Sequence, residues 1–353
     1  GLQTTGETGG RCAQKRGMVS SKGMAINMHT PKFLIRLVAH DSHPTRGLLA
    51  VEWAMMLYLL FTLALMACLW PRIQQPAPML IGRLAMVIGV LLAWIIYQWK
   101  PCRITHLARI LLQLGLLSWW YPDTYEINKL LPNYDPYFAA ADQWLFGCQP
   151  ALLFSQWMPQ HWWSELMHLG YASYYPLMVV VSLYYFCCRY ERFARATFVL
   201  LASFFVYYVI FDVVPVTGPQ YYYLAAGTDQ IGAGVFPEIG QWFINHTESL
   251  PIPGWSDGFC YHLVAAAHAA GERPTAAFPS SHVGVTTILM LLAWKSGSRK
   301  LVWSVTPFYI LMCMATVYIQ AHYAIDVIGG WVSGVIFYFA LDGFYRKNLE
   351  SRK

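Results

Sequence analysis

Charge is the first thing this chain lacks. Asp, Glu, Lys and Arg make up 12% of its 353 residues, about half of the roughly 25% usual in soluble globular proteins. A disordered chain needs charge and few aromatics, and here aromatics reach 16%, so that class is excluded. The surplus of base is small, 24 Lys and Arg against 18 acids, and no basic cluster of the kind that grips a phosphate backbone stands out. No nucleic-acid partner is expected. There is no internal repeat, and the first apolar run is too long for a secretory signal peptide and has no small-residue cleavage pattern. What is abundant is apolar surface, at 57% hydrophobic residues. Such a chain belongs in a bilayer.

A hydrocarbon core takes about 20 mostly apolar residues per helix. Eight stretches qualify: 48–70, 79–99, 104–121, 166–188, 194–215, 280–297, 301–320 and 323–345. The third and the sixth are the weakest, one holding His106 and Arg109, the other opening on Ser280, Ser281 and His282. The expected fold is therefore all-α, a polytopic transmembrane bundle of about eight spans. Three accessory helices occupy 47–121, and residues 166–345 form the core.

Lys and Arg orient the bundle. Alternate loops hold Lys100 and Arg103, then Arg189, Arg192 and Arg195, then Lys295, Arg299 and Lys300, with Arg346, Lys347, Arg352 and Lys353 in the last tail. The other, longer loops hold only Arg72, Lys129 and Arg273. By the positive-inside rule both termini are expected in the cytosol.

Residues 1–46, rich in Gly, Thr, Ser and Arg, are expected to be largely disordered, with 31–38 a candidate to lie on the cytosolic membrane face. The outer loops 122–165 and 216–279 are long and full of Trp, Tyr, Pro and Gly. Loops of that length are usually functional, and short interfacial helices roofing the bundle are expected there. Of eight cysteines, Cys148 and Cys260 alone fall in these loops. An oxidising compartment permits a disulfide, provided their Cα atoms come within reach.

Two polar clusters sit at outer ends of spans, where polar residues are costly and usually functional. One is Phe278-Pro279-Ser280-Ser281-His282-Val283-Gly284, a helix start whose free N–H groups suit a phosphate, with Ser hydroxyls as added donors and Gly284 admitting a ligand. The other is His322-Tyr323-Ala324-Ile325-Asp326, followed by Gly329 and Gly330, which allow close packing. At a spacing of four, His322 and Asp326 share a helix face. That fits an oriented histidine nucleophile or two ligands of a metal, for which His262 and His268 in the outer loop would be further donors.

The order FPSSH, then HYAID forty residues on with Gly-Gly after it, resembles the second and third motifs of the type 2 phosphatidic acid phosphatase superfamily. The resemblance covers about 165–345 and implies a six-helix phosphatase-like core. It implies metal-independent cleavage of phosphate esters or pyrophosphates through a phosphohistidine, with no cofactor. On it, His322 is the nucleophile, Asp326 its orienting partner, His282 the general acid, and Ser280, Ser281 and nearby N–H groups hold phosphate oxygens. The substrate implied is a lipid phosphate, handled at the outer face of a membrane that overall resemblance makes a bacterial inner membrane. Other membrane lipids are the remaining partners, and the oligomeric state is open.

The chain departs from that family where phosphate is usually clamped. The first motif's Lys and Arg-Pro are replaced by Pro215-Val216-Thr217-Gly218-Pro219-Gln220-Tyr221-Tyr222, leaving Gln220 and Tyr221 as the candidates there. The Arg usual six residues before the third-motif His is Thr316. Arg273 is the remaining outer cation, as a phosphate ligand or an ordinary loop charge. This reduced pattern is similar to the branch of inositol phosphorylceramide and sphingomyelin synthases, which pass a phospho-headgroup to a lipid alcohol. Hydrolysis is the leading expectation and transfer the alternative.

Overall fold

The computed structural model describes residues 36–41 and 44–350. All eight apolar stretches are helical. The first three are α1 (Ala50–Leu69), α2 (Pro76–Trp99) and α3 (Arg103–Asn128). After two short helices, α4 (Asp135–Phe146) and α5 (Pro150–Trp157), come α6 (His161–Ala172), α7 (Tyr174–Cys188) and α8 (Phe193–Val213). A second short set, α9 (Pro219–Ala226), α10 (Thr228–Gly232) and α11 (Phe259–Gly271), precedes α12 (Ser281–Lys295), α13 (Arg299–Tyr318) and α14 (Ala324–Tyr345). Among the described residues the only β pairing is an isolated bridge between His40 and Cys102.

Five of the spans are long and apolar enough to cross a membrane, six if α6 and α7, bent by 48° at Ser173, form one span. The two left out are α3 and α12, the third and sixth stretches. α3 dilutes its apolar residues with His106, Arg109, Gln113 and Asp123. α12 has 15 residues, about 22 Å at 1.5 Å per residue against a core of about 30 Å. α8 is the hub, 78% of its most apolar window being buried against 22% for α2. The outer face of α2 (Ile81, Leu84, Leu92) is exposed apolar surface, as a lipid-facing helix requires.

Two buried ion pairs join the accessory helices. Arg109 on α3 makes a two-pronged contact with Glu52 on α1, its Nε at 2.8 Å. Arg83 on α2 does the same with Asp123 on α3, at 3.0 and 2.6 Å. Both pairs are shielded from solvent, and removing one partner of a buried pair costs about 3–5 kcal/mol. Asp212 on α8 accepts from the Tyr58 hydroxyl at 2.9 Å.

The core six are α6, α7, α8, α12, α13 and α14, with α12 wedged between α13 and α14. Glycine sets that closeness. A Cβ on Gly330 would lie 2.7 Å from the Ser280 carbonyl oxygen, and one on Gly334 would lie 2.6 Å from that of Gly284. The close packing expected at Gly329 and Gly330 is therefore present, and Gly284 belongs to it: a Cβ there would run into the Tyr207 hydroxyl. Gly284 serves helix packing, not ligand approach.

The two long loops contain the expected short helices. α4 ends on Gly147 at φ +70°, whose N–H bonds the Gln143 carbonyl at 3.0 Å, the usual left-handed stop. The first turn of α11 is held by Glu165 of α6, which accepts the N–H groups of Cys260 and Tyr261 at 2.9 and 3.2 Å. Cys148, between α4 and α5, and Cys260 are both free thiols, so no disulfide joins the two loops; polar contacts such as Glu165's do. Most of the 1–46 tail, with the larger part of 31–38, lies outside the described residues. Its end is structured: Asp41 N–H donates to the Pro101 carbonyl at 2.8 Å, and Thr45 N–H to the Tyr97 hydroxyl at 3.3 Å.

Candidate active site

The two His clusters meet at one end of the bundle, opposite the end where α12 finishes at Lys295. Ser280 caps α12, its hydroxyl accepting the Val283 N–H at 3.3 Å, which puts His282 in the first turn. Its ring lies between two tyrosine rings, 4.7 Å from Tyr171 and 4.4 Å from Tyr174 by centroid. Aromatic contacts on both sides fix the imidazole plane.

His322 sits in the turn before α14, with its N–H on the Thr316 carbonyl at 3.0 Å. Its Nδ1 is 2.8 Å from the Ala277 carbonyl oxygen, and its Nε2 is 3.3 Å from Nδ1 of His282. A carbonyl only accepts, so Nδ1 carries the hydrogen and Nε2 keeps the lone pair. Burial pushes the imidazole down to about 4, so His322 is neutral near pH 7.

Asp326 is not the hydrogen-bond partner that a shared helix face suggested. α14 begins at Ala324, which leaves His322 outside the helix. Asp326 therefore stands in the first turn, where one oxygen accepts the Tyr323 N–H at 2.9 Å. That oxygen is 3.6 Å from His322 Nδ1, too far for a hydrogen bond. The clusters are also joined through the backbone, Ser280 N–H donating to the Asp326 carbonyl at 3.1 Å.

A cavity of about 30 Å³ lies over the two imidazoles. Gln220, Tyr221, Ser281, His282 and His322 line it, as do Tyr121, Tyr171, Thr217 and Glu272. Three sequence candidates are elsewhere. Ser280 is buried and spends its hydroxyl on the cap, Gly284 faces Tyr207, and Arg273 is exposed, with its guanidinium on the Glu272 main-chain carbonyl at 3.2 Å. No Lys or Arg lines the cavity. Among the described residues, the non-glycine positions with positive φ, Ala276 at 68° and Gln320 at 63°, lie in two of the lining segments, and such backbone strain gathers at functional sites.

Sequence reasoning missed the loop carboxylates that hold this geometry. Asp135 of α4 accepts the Thr217 and Gly218 N–H groups at 2.7 and 2.8 Å and the Tyr323 hydroxyl at 2.9 Å, tying the first-motif turn to the third. Gly218 needs its φ of +96° there, and a Cβ would come 2.7 Å from the Ala321 carbonyl oxygen. Asp142, two turns further along α4, accepts the Ala324 and Ile325 N–H groups at 2.8 Å each, placing a carboxylate at the start of α14. Burial raises Asp135 and pushes Asp142 up to about 6, with the N–H groups pulling both the other way. Their seven-residue spacing, which puts both on one helix face, was the available signal.

From His282 and Ser281 a groove of about 520 Å³ runs down between α3, α7 and α8 along Leu117, Leu114, Leu111, Tyr174, Met178 and Phe204. Its walls are mostly apolar, and Glu272 and Tyr121 border both groove and cavity. Among the described residues no three His, Cys, Asp or Glu side chains converge as metal ligands. His262 and His268 lie on α11.

No curated protein and no solved structure matches the chain. The family model of the PAP2 superfamily matches residues 136–340, well over half of the sequence, from the helix that carries Asp142 into the last helix of the core. The apolar helices and this family, whose members cleave or transfer phosphoric esters, make the protein an integral membrane enzyme. By the extent of that match, and by the core and paired His motifs it encloses, the chain belongs to the PAP2 superfamily.

Proposed function

We propose that the protein cleaves a lipid phosphate or pyrophosphate at the outer membrane face without a metal, through a phosphohistidine on His322. The observation that carries this reading is the 3.3 Å contact between His322 Nε2 and His282 Nδ1, with the other nitrogen of His322 committed to Ala277. It leaves one basic nitrogen aimed at a second imidazole. Nε2 attacks phosphorus, the bond from phosphorus to the leaving oxygen breaks, and His282 gives that oxygen a proton. Water then enters, His282 takes its proton, the P–N bond breaks, and phosphate leaves. Such acid–base help contributes roughly 10²–10⁴ in rate. In-line attack requires phosphorus between nucleophile and leaving group, so the imidazoles part as substrate enters. Ser281 stands ready to donate to phosphate oxygens, as does the second amide N–H of Gln220, whose first goes to the Leu250 carbonyl at 2.6 Å; Thr217 gives both its donors to Asp135.

The 520 Å³ groove supports a lipid substrate, with its chain between α3 and α7. The basic loops favour cytosolic termini and, with them, a site on the periplasmic or outer face. The test is release of phosphate from purified lipid phosphates in the presence of chelator, with His322→Ala as the control that loses it. Indifference to the variant contradicts the reading.

A second reading, transfer of a phospho-headgroup to a lipid alcohol, is favoured by one observation: the cavity is lined by a carboxylate and no cation. A bare phosphate monoester carries more negative charge than a diester and gains less from such a wall. A new lipid formed only when a lipid alcohol is supplied identifies transfer, whereas free phosphate without one identifies hydrolysis.

A further inference from the structure

Glu272 is an unexpected residue beside a phosphate site. It borders both the cavity and the groove, in company with His282, Ser281 and Tyr121. It caps the C-terminus of the 13-residue α11, its N–H bonding the His268 carbonyl at 3.0 Å, so the helix's negative end adds to the carboxylate's charge. No ion pair offsets that charge among the described residues: Arg273 reaches only the main-chain carbonyl of Glu272. The Tyr121 hydroxyl donates to it at 3.1 Å, while Tyr171 and Tyr221 complete the wall. Burial raises Tyr221, which keeps its hydroxyl protonated and its ring uncharged. A carboxylate among tyrosine rings repels phosphate and attracts an ammonium, through charge and through the ring faces.

We infer that Glu272, with Tyr121, Tyr171 and Tyr221, forms a subsite for a cationic amine carried by the substrate a few bonds from its phosphate. This rests on the proposed reaction and narrows its substrate class. It also accounts for the missing clamp: the positive charge opposite the phosphate arrives on the substrate. Two sources share this chemistry, an amino alcohol esterified to the phosphate as headgroup, and a long-chain amino alcohol whose own hydroxyl is phosphorylated.

The test uses the full chain in lipid nanodiscs and reads binding as well as turnover. Turnover is compared within two pairs, phosphatidylethanolamine against its hydroxyethyl analogue, and sphinganine 1-phosphate against its N-acetyl form. Binding is compared for phosphoethanolamine against hydroxyethyl phosphate. The amine is expected to raise kcat/KM in one of the pairs, and to tighten Kd, by about tenfold or more, and the responding pair names the source. Glu272→Gln should bring these ratios towards one and Glu272→Asp should keep most of them. Ratios of one in the wild type, no binding of either ligand, or ratios untouched by Glu272→Gln overturn the inference. A wild type that prefers the amine in binding yet turns over no lipid phosphate contradicts the proposed reaction alone.

Discussion

Asp326 stops 3.6 Å short of the Nδ1 of His322, and the Ala277 carbonyl, at 2.8 Å, takes the hydrogen bond instead. The tautomer that bares Nε2 is thus fixed by backbone, which leaves to Asp326 only the proposed part of steadying the positive charge that His322 gains in attack. Asp326→Asn is expected to keep that tautomer and lower kcat by about 10²-fold, the scale of one lost electrostatic group. His322→Ala should remove turnover altogether. Steady-state kinetics of the two variants check this, and equal losses would mean that the carboxylate, not the carbonyl, sets the tautomer.

The pH profile follows from the burial of His322. Its imidazole, pushed down to about 4, stays neutral and nucleophilic until the pH falls through that value, whereas an ordinary histidine is lost near 6.5. The limb of kcat/KM that this group sets should lie near pH 4. The same shift lowers stability as pH falls between the two values, because there the unfolded chain takes up a proton that the folded chain does not. Melting temperatures across that window should fall on acidification, and less so for His322→Gln.

Asp142 reaches across from α4 to the first N–H groups of α14. Replacing a capping group by Ala costs about 1 kcal/mol, and this one also positions the turn that holds His322. Asp142→Ala should lower the melting temperature modestly and kcat more than stability alone explains, which thermal melts and kinetics on the same preparation will show.

Much of this was legible in the chain. Runs of apolar residues mark spans by composition alone, and all eight are helices. α3 and α12, the two weakest stretches, are the two that fall below a membrane-crossing helix: in α3 polar residues placed for ion pairs displace apolar ones, and α12, starting only at the site, is 15 residues long. His282 and His322 came together as their motifs implied. What sequence could not place were relationships set by distant packing. Asp142 meets Ala324 and Asp135 meets Tyr323 across more than 180 residues, Glu272 gains meaning only beside Tyr121, and Gly284 faces a tyrosine on another helix. The spacing of His322 and Asp326 misled because it assumed that the helix had already begun.

If the groove between α3 and α7 holds the lipid chain, filling it should act on long substrates first. Leu114→Trp is expected to raise KM for a long-chain lipid phosphate by about tenfold, since about 1.4 kcal/mol of lost burial suffices, and to affect a short water-soluble phosphate ester less. Kinetics with a chain-length series check it; an equal effect on all lengths would place the chain elsewhere.

The most direct test of the central claim is to trap the intermediate. The protein is mixed rapidly with lipid phosphate labelled on phosphorus, quenched in base, digested and read by mass spectrometry in the presence of chelator. The account predicts acid-labile phosphate on His322, absent from His322→Ala. Turnover with no label on His322, or label that persists in the variant, would contradict it.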